Sequence, residues 1–301
     1  MFNRKSLSPT ALLRPAVLGL LACSASATNA AVLRHSPASP QPGDVITLTL
    51  YPQTGERIVG AGMAAFDTAE VKFYTRPNGT ARALVGFPFD RHGGSHLLRA
   101  RVRVAKAGNE TEQIVSTLVR ARERNFPTQH ISMRSSTAGT MSRTDALRRE
   151  KLLVQSSMKN SYPAPLWSGS WFVPTSGRSS SSYGRRRYVN GRWWGQHNGA
   201  DIKAPSGAAV GVSNSGRVVL SQYLPTLRGN CIVVDHGCNV FSIYMHLSQR
   251  GVKVGDSVRR GQVIGRVGAT GFVTGPHLHW EVRIGWEPVD PAKVTAKGLQ
   301  F

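Results

Sequence analysis

The chain has 301 residues, of which 40% are hydrophobic and 8% aromatic. This composition can build a folded core, so it excludes a disordered basic tail, and the length suffices for two domains of ordinary size. The formal net charge of +22 suits an anionic partner. The alternative is that the basic residues only aid solubility or reflect the general composition of the organism's proteins.

Residues 1–30 have the pattern of an export signal. Three basic residues, Arg4, Lys5 and Arg14, precede a short apolar run over residues 16–22, and a plausible cleavage site follows at residues 28–30. The run is too short to span a bilayer as a mature anchor. We therefore expect an exported protein that resides in the periplasm, in the cell envelope or outside the cell.

A second export pattern overlaps the first. Residues 20–23 resemble a lipobox, in which Cys23 would become a lipidated N-terminus, although Leu21 is a less favoured residue at its position. Plain secretion is the preferred interpretation, and we expect contact with a membrane only if Cys23 is lipidated. For an exported basic chain, the expected partner is peptidoglycan or another anionic envelope polymer, and no nucleic acid.

Cys231 and Cys238 are the two cysteines outside the predicted signal. Residues 231–235 have a strand pattern, which places the two α-carbons roughly 13 Å or more apart and beyond disulfide reach. We expect two free thiols. The spacing also fails the common structural-zinc patterns.

Residues 31–125 alternate apolar and polar side chains in short segments, for example at 46–50 and 98–104, separated by turn signals. This pattern favours an antiparallel β domain of the immunoglobulin-like sandwich kind. It contains no catalytic constellation.

Residues 126–165 form a predicted linker with one helix. Ser142 and Asp145 make an N-cap signature, and apolar residues recur at helical spacing up to about Lys159. Residues 166–301 return to short strand patterns and contain five of the nine histidines. The fold class is therefore predicted as mainly β, with an N-terminal sandwich, a helical linker and a C-terminal antiparallel β domain.

Three segments of this last region carry candidate site residues. His277 and His279 lie two apart, so on a strand they share one face. His197 and Asp201 lie four apart in a segment whose Gly199 argues against a helix, and they too can face one side. Alone, a His-x-His pair is weak evidence, Asp201 could cap local backbone groups, and His246 could be an ordinary core or edge residue.

Together the segments resemble the lysostaphin-type zinc endopeptidases that cleave peptidoglycan peptides. Over residues 167–291 the chain carries the H-x-G-x-D motif at 197–201, the Y-x-H-L motif at 244–247 and the H-x-H motif at 277–279, in the family's order. The resemblance implies an antiparallel β metallopeptidase domain, a hydrolase with one zinc ion per chain.

The resemblance also implies roles for individual residues. His197, Asp201 and His279 would hold the zinc, and three protein ligands leave a position open for catalysis. His246 and His277 would be catalytic: one would act as general base, and both could stabilise the oxyanion. Glu281 shares the face of His279 and could orient a ligand, although a surface carboxylate is the preferred interpretation.

Residues 178–194 are expected to form a loop rich in arginine and aromatic residues beside the site. In the resembling fold such loops wall the substrate groove; a solvated loop is an equal alternative. The N-terminal sandwich with its linker resembles the immunoglobulin-like domain that precedes the peptidase in some members of the family.

The leading hypothesis is an exported zinc endopeptidase that hydrolyses peptide bonds in peptidoglycan stem peptides or cross-bridges. The alternative is a non-enzymatic envelope regulator of the same fold that activates another wall hydrolase. A wall-anchoring β protein would leave the histidines unexplained. The sequence leaves open which bond is cut, which histidine is the base, whether the N-terminal part inhibits the site, and the oligomeric state.

Overall fold

A computed structural model describes residues 30–66, 69–133 and 144–301 of the protein. The predicted export signal, Cys23 and the predicted cap Ser142 lie outside the described residues. Most of the regular structure is strand, so the prediction of a mainly β fold is confirmed. Among the described residues, no helix has the length and apolar character needed to cross a bilayer.

The N-terminal part contains two four-stranded antiparallel sheets. The strands are β1 (Val32–Ser36), β2 (Val45–Tyr51), β3 (Arg57–Ala65), β4 (Ala69–Lys72), β5 (Tyr74–Thr75), β6 (Ala81–Gly86), β7 (Gly94–Lys106) and β8 (Asn109–Ala121). One sheet has the order β1-β2-β6-β5 and the other β4-β3-β7-β8. Alternate residues of both sheets, such as Leu48 and Val102, form one buried core. The specifically immunoglobulin-like topology stays a prediction.

The predicted linker contains the expected helix, α1 (Thr144–Ser157), and also a short strand that was not predicted, β9 (Thr128–Ile131). The strand β9 pairs in parallel with a strand of the C-terminal part. The segment is therefore packed into the fold at both of these elements.

The C-terminal part is built on one large antiparallel sheet and a hairpin. The elements are β10 (Arg178–Ser181), β11 (Arg186–Val189), β12 (Arg192–Gln196), β13 (Ala200–Lys203), β14 (Ala209–Gly211), β15 (Gly216–Leu224), β16 (Gly229–Gly237), β17 (Val240–Arg250), β18 (Ser257–Val258), β19 (Val263–Val267), β20 (Leu278–Ile284), β21 (Glu287–Val289) and α2 (Pro291–Lys297). The main sheet has the order β10-β13-β20-β17-β16-β15-β18, and β9 joins the hairpin in a separate sheet, β12-β11-β9.

Both faces of the main sheet are covered. On one face, Ile232, Tyr244 and Trp280 belong to the larger core of the C-terminal part. On the other face, Val154 of α1 and Met158, which directly follows the helix, pack in a cluster that includes Met245. The second face also carries the candidate site. Leu278 and Trp280 point into the larger core, so His279 between them points to the opposite face. There it lies beside Met245, its partner in register on β17.

Partly buried ion pairs join the N-terminal sheets to the end of the chain. Arg124 lies 2.6 Å from Asp290, and Lys293 lies 2.6 Å from Asp44. Asp290 also caps α2 by accepting a hydrogen bond from the Ala292 amide. The two parts of the chain therefore meet at specific polar contacts.

Cys231 and Cys238 are buried free thiols. The expectation that they form no disulfide is confirmed.

Candidate metal centre and groove

Two neighbouring strands bring the candidate ligands together. Asp201 on β13 pairs directly with His279 on β20. Gly199 makes this close approach possible, because a Cβ at residue 199 would lie 2.2 Å from the carbonyl oxygen of Trp280. His197 follows β12 and reaches the same point from the hairpin side. The three predicted ligands therefore converge, and each is less than a tenth exposed.

The facing atoms of the three side chains are mutually close. His197 Nε2 lies 3.0 Å from Asp201 Oδ1 and 3.0 Å from His279 Nδ1. His279 Nδ1 lies 2.8 Å from the same carboxylate oxygen. Among the described residues this is the one group of three His, Cys, Asp or Glu side chains arranged to hold a metal ion.

The other atoms of these side chains show that the facing atoms are acceptors. His197 Nδ1 donates to the Ser182 carbonyl at 2.9 Å, and His279 Nε2 donates to Glu281 at 3.0 Å. In their neutral forms the two rings then direct lone pairs at each other and at the carboxylate of Asp201. Three converging lone pairs require a positive charge between them. The donor set fits zinc, which takes nitrogen and carboxylate oxygen ligands.

In the metal-free chain a proton can supply this charge. Burial lowers the pKa of His279, but hydrogen bonds to Asp201 and Glu281 outweigh it and raise the pKa to about 9. Burial likewise opposes the charge on Asp201, yet its contacts with His197 and His279 hold the carboxyl pKa well below its usual range. The site is thus built around a cation.

Two further side chains hold the ligands. Arg187 on β11 binds the second carboxylate oxygen of Asp201, and Glu281 links His279 to Arg283 at 2.5 Å. Glu281 is 3% exposed, so its preferred interpretation as a surface carboxylate was wrong. Arg187 was part of the predicted loop and was not singled out; its partner lies on a distant strand, so no local pattern could have revealed the contact.

His246 and His277 lie together beside this cluster, with ring centroids 4.9 Å apart. His246 Nδ1 donates to the Thr270 carbonyl at 2.9 Å, and His277 Nδ1 donates to the Gly275 carbonyl at 2.9 Å. Burial lowers the pKa of His246 to about 3, with His279 and His277 adding to the effect, and burial also lowers the pKa of His277. Both are therefore neutral at pH 7, with Nε2 able to accept a proton.

His246 lies within β17, which continues to Arg250. Its backbone has φ 64° within a register shift against β16. This conformation is uncommon for a residue other than glycine. The irregularity directs His246 toward His277 instead of along the regular alternation.

The cluster opens into a groove of about 660 Å³. The prediction of a loop at residues 178–194 was wrong, since this segment contains β10, β11 and the start of β12. Trp194 lines the groove and stacks on Phe272, with ring centroids 5.1 Å apart. Gln129 of β9 also lines it and accepts hydrogen bonds from Ser181 and Arg187. The predicted linker thus contributes directly to the wall of the groove.

The comparison with family models gives one match in this region. Residues 195–291 match the model described as Peptidase family M23. The matched segment contains all five candidate site residues, while Gln129 and Arg187 lie outside it.

Curated relatives match over a similar region. A protein named peptidoglycan DD-endopeptidase ShyA from Vibrio cholerae serotype O1 is 44% identical over 99 residues, which cover 33% of this chain and 23% of the relative. A DD-carboxypeptidase/endopeptidase Mpg from Neisseria meningitidis serogroup B is 41% identical over 118 residues, 39% of this chain and 27% of the relative. The chain spans about a quarter of the length of these relatives.

One solved structure resembles nearly the whole chain. A structural-genomics crystal structure assigned to peptidase M23 from Pseudomonas aeruginosa is 25% identical with a TM-score of 0.59. The similarity covers 87% of this chain and 96% of that one. The arrangement of N-terminal sheets and C-terminal domain therefore has a counterpart among known structures.

Proposed function

Since residues 195–291 form a peptidase family M23 domain, we propose that the protein is a zinc-dependent endopeptidase that hydrolyses peptide bonds in peptidoglycan stem peptides or cross-bridges. The observation that carries the proposal is the meeting of three potential metal-ligand atoms, from His197, Asp201 and His279, at one buried point. The names of the matched relatives support the substrate class.

The zinc would be held by His197 Nε2, Asp201 Oδ1 and His279 Nδ1. When bound, it would act as a Lewis acid on the substrate carbonyl and would lower the pKa of the attacking water. Arg187 and Glu281 keep the three ligand atoms facing one point by binding the opposite side of Asp201 and His279. Such supporting contacts tune both metal affinity and ligand basicity.

The proton transfers are assigned to His246 and His277. Each ring donates from Nδ1 to a fixed backbone carbonyl, so Nε2 carries the lone pair. We propose that one Nε2 takes the proton of the attacking water and that the protonated ring then donates to the leaving amine. The second ring would stabilise the oxyanion once it carries a proton or donates a hydrogen bond.

The groove and the charge of the chain support a cell-wall substrate. The groove is large enough for several residues of an extended peptide, and Trp194 and Phe272 offer an apolar wall. A chain with net charge +22 would be attracted to anionic wall polymers. We propose that the protein is exported to the periplasm, the cell envelope or the exterior. We propose no nucleic-acid partner.

The alternative function is a non-enzymatic regulator of another wall hydrolase. The histidine cluster argues against it, because a protein that only binds a partner has no need to gather five polar side chains, four of them buried, around one point. No observation specifically favours the regulator.

The test measures zinc content and peptide release from purified peptidoglycan for the wild type, His279→Ala and His277→Ala. We expect one zinc per wild-type chain, none in His279→Ala, and zinc without activity in His277→Ala, with rates lower by at least about 10². A wild type that binds zinc but releases no peptide would support the regulator. Absence of zinc from the wild type would overturn the metal centre itself.

A further inference from the structure

A buried carboxylate outside the matched domain holds one side of the groove. Glu150, in the middle of α1, is 4% exposed. It accepts hydrogen bonds from the backbone amides of Thr226 and Leu227, the latter at 3.1 Å, and lies 3.5 Å from the Arg228 guanidinium. A helix side chain thus satisfies the backbone of the turn between β15 and β16.

That turn is in direct contact with His246. The His246 amide donates to the Arg228 carbonyl at 2.9 Å, and the Phe272 amide donates to the Leu227 carbonyl at 2.9 Å. His246 has the left-handed φ of 64°, so the regular ladder does not fix its backbone. The Arg228 carbonyl is therefore one of the few contacts that hold His246 in this conformation.

The packing of α1 supports the same connection. Val154 and Met158, one and two turns beyond Glu150, lie in the cluster that contains Met245, the neighbour of His246 in the chain. The C-terminal end of the helix therefore packs against β17, while Glu150 binds the neighbouring turn between β15 and β16. Glu150 is buried, so it does not serve solubility. Carboxylates are rarely buried unless they are paired, and the partners of Glu150 are the amides and the arginine of this turn.

We propose that Glu150 is a positioning residue for His246, acting through the turn at 226–228. The inference rests on the proposed function, in which His246 serves the reaction. It assigns part of the catalytic site to the segment that the sequence presents as a linker. The carboxylate is required as such, because an amide at this position would present an N–H to donors that need an acceptor.

The test compares Glu150→Gln with Asp145→Asn, which makes the same chemical change at an exposed residue of the same helix. We expect kcat of Glu150→Gln to fall about 10- to 100-fold, because small displacements of a catalytic group are costly. KM should stay within about twofold and zinc content should stay at the wild-type value, since none of the proposed ligands lies on α1, on the turn or on β17. Asp145→Asn should behave as the wild type.

A second measurement is independent of activity. Amide hydrogen exchange at Leu227 and His246 should become faster in Glu150→Gln than in Asp145→Asn, while exchange in the N-terminal sheets is unchanged. Glu150→Asp keeps the charge but withdraws it by one methylene, so it provides a milder variant with the same expected direction. Its loss of kcat should be smaller.

Unchanged kcat, or unchanged exchange at His246, would overturn the proposal. A loss of zinc or a general rise in exchange would also overturn it, since Glu150 would then be a residue of overall stability. If the wild type itself releases no peptide from peptidoglycan, the proposed function fails. The exchange at His246 would still decide whether Glu150 holds this residue.

Discussion

The atom that each candidate ligand presents is set by the partner on its other side. Glu281 accepts from His279 Nε2 and thereby directs Nδ1 at the cluster. We expect Glu281→Gln to weaken zinc binding about 10- to 100-fold, because the amide holds the ring less firmly and makes it less basic. Competition with a chromogenic chelator measures the affinity. Glu112→Gln, on the exposed face of β8, should leave it unchanged, and equal affinities in the two variants would contradict the role of Glu281.

Arg187 has the corresponding role for Asp201. Its guanidinium binds the oxygen that faces away from the cluster, which leaves a single oxygen for the metal. Arg187→Met should lower zinc affinity, because the freed carboxylate loses both its orientation and a buried partner. Arg186→Met changes an exposed arginine of the same strand and should bind zinc as the wild type does. The same chelator competition decides between them.

His236 is a buried histidine away from the metal centre, and it gives a prediction for pH. Its Nδ1 donates to the Ser215 carbonyl at 2.8 Å, and burial lowers its pKa to about 4 from an ordinary 6.5. Between these values the unfolded chain binds a proton that the folded chain does not, so stability falls as the pH drops through that range and is retained above it. The free energy of unfolding should lose up to about 3 kcal/mol from this residue.

Urea unfolding at several pH values measures the effect. In His236→Gln the free energy of unfolding should depend less on pH between 6.5 and 4 than in the wild type. His92→Gln, a change of an exposed histidine, should keep the wild-type slope. Identical slopes in all three proteins would show that His236 is not held neutral by the fold.

At the level of elements, the contact between β13 and β20 decides whether the ligands meet. Gly199→Ala would place a methyl group against the Trp280 backbone, which cannot move without shifting β20. We expect a lower Tm and weaker zinc binding, because Asp201 and His279 separate as the strands part. Gly275→Ala is the matched control, since a Cβ there meets nothing within 4 Å. A Gly199→Ala protein with wild-type Tm would contradict the close approach.

The strands and the helix were predictable because their signals are local. Alternation indicated most of β2 and the centre of β7, and apolar spacing placed α1 within a few residues of its observed bounds. The same holds for the five candidate site residues, whose motifs are short. The structure brings them together, while their chemical roles stay predictions until the metal and activity are measured.

The missed features depend on contacts between distant segments. The strand β9 consists of four residues with no alternation of its own and exists because β11 pairs with it. Glu281 alternates with apolar residues as a surface carboxylate would, and only its contacts with His279 and Arg283 explain its burial. The left-handed backbone of His246 has no sequence signal, because only glycine adopts a positive φ routinely and residue 246 is not a glycine.

For the whole molecule, the contact between the N-terminal sheets and the C-terminal end should contribute to stability. Arg124 and Asp290 are mostly buried and 2.6 Å apart. Arg124→Met should destabilise the protein by about 1–3 kcal/mol, because Asp290 would lose its partner in a partly buried position. Denaturant unfolding measures the change. Arg99→Met on the exposed side of β7 should have little effect, and equal losses would argue against a specific interface.

The parallel strand β9 also determines how the hairpin of β11 and β12 is protected from other chains. It occupies the free edge of β11 with residues 128–131, which precede the matched domain by more than sixty positions. A protein cut back to residues 166–301 would leave the β11 edge unpaired beside exposed Trp193. Open strand edges recruit strands from neighbouring molecules. The isolated domain should therefore self-associate at concentrations where the full chain does not, and adding a peptide with the sequence of residues 126–133 should reverse it.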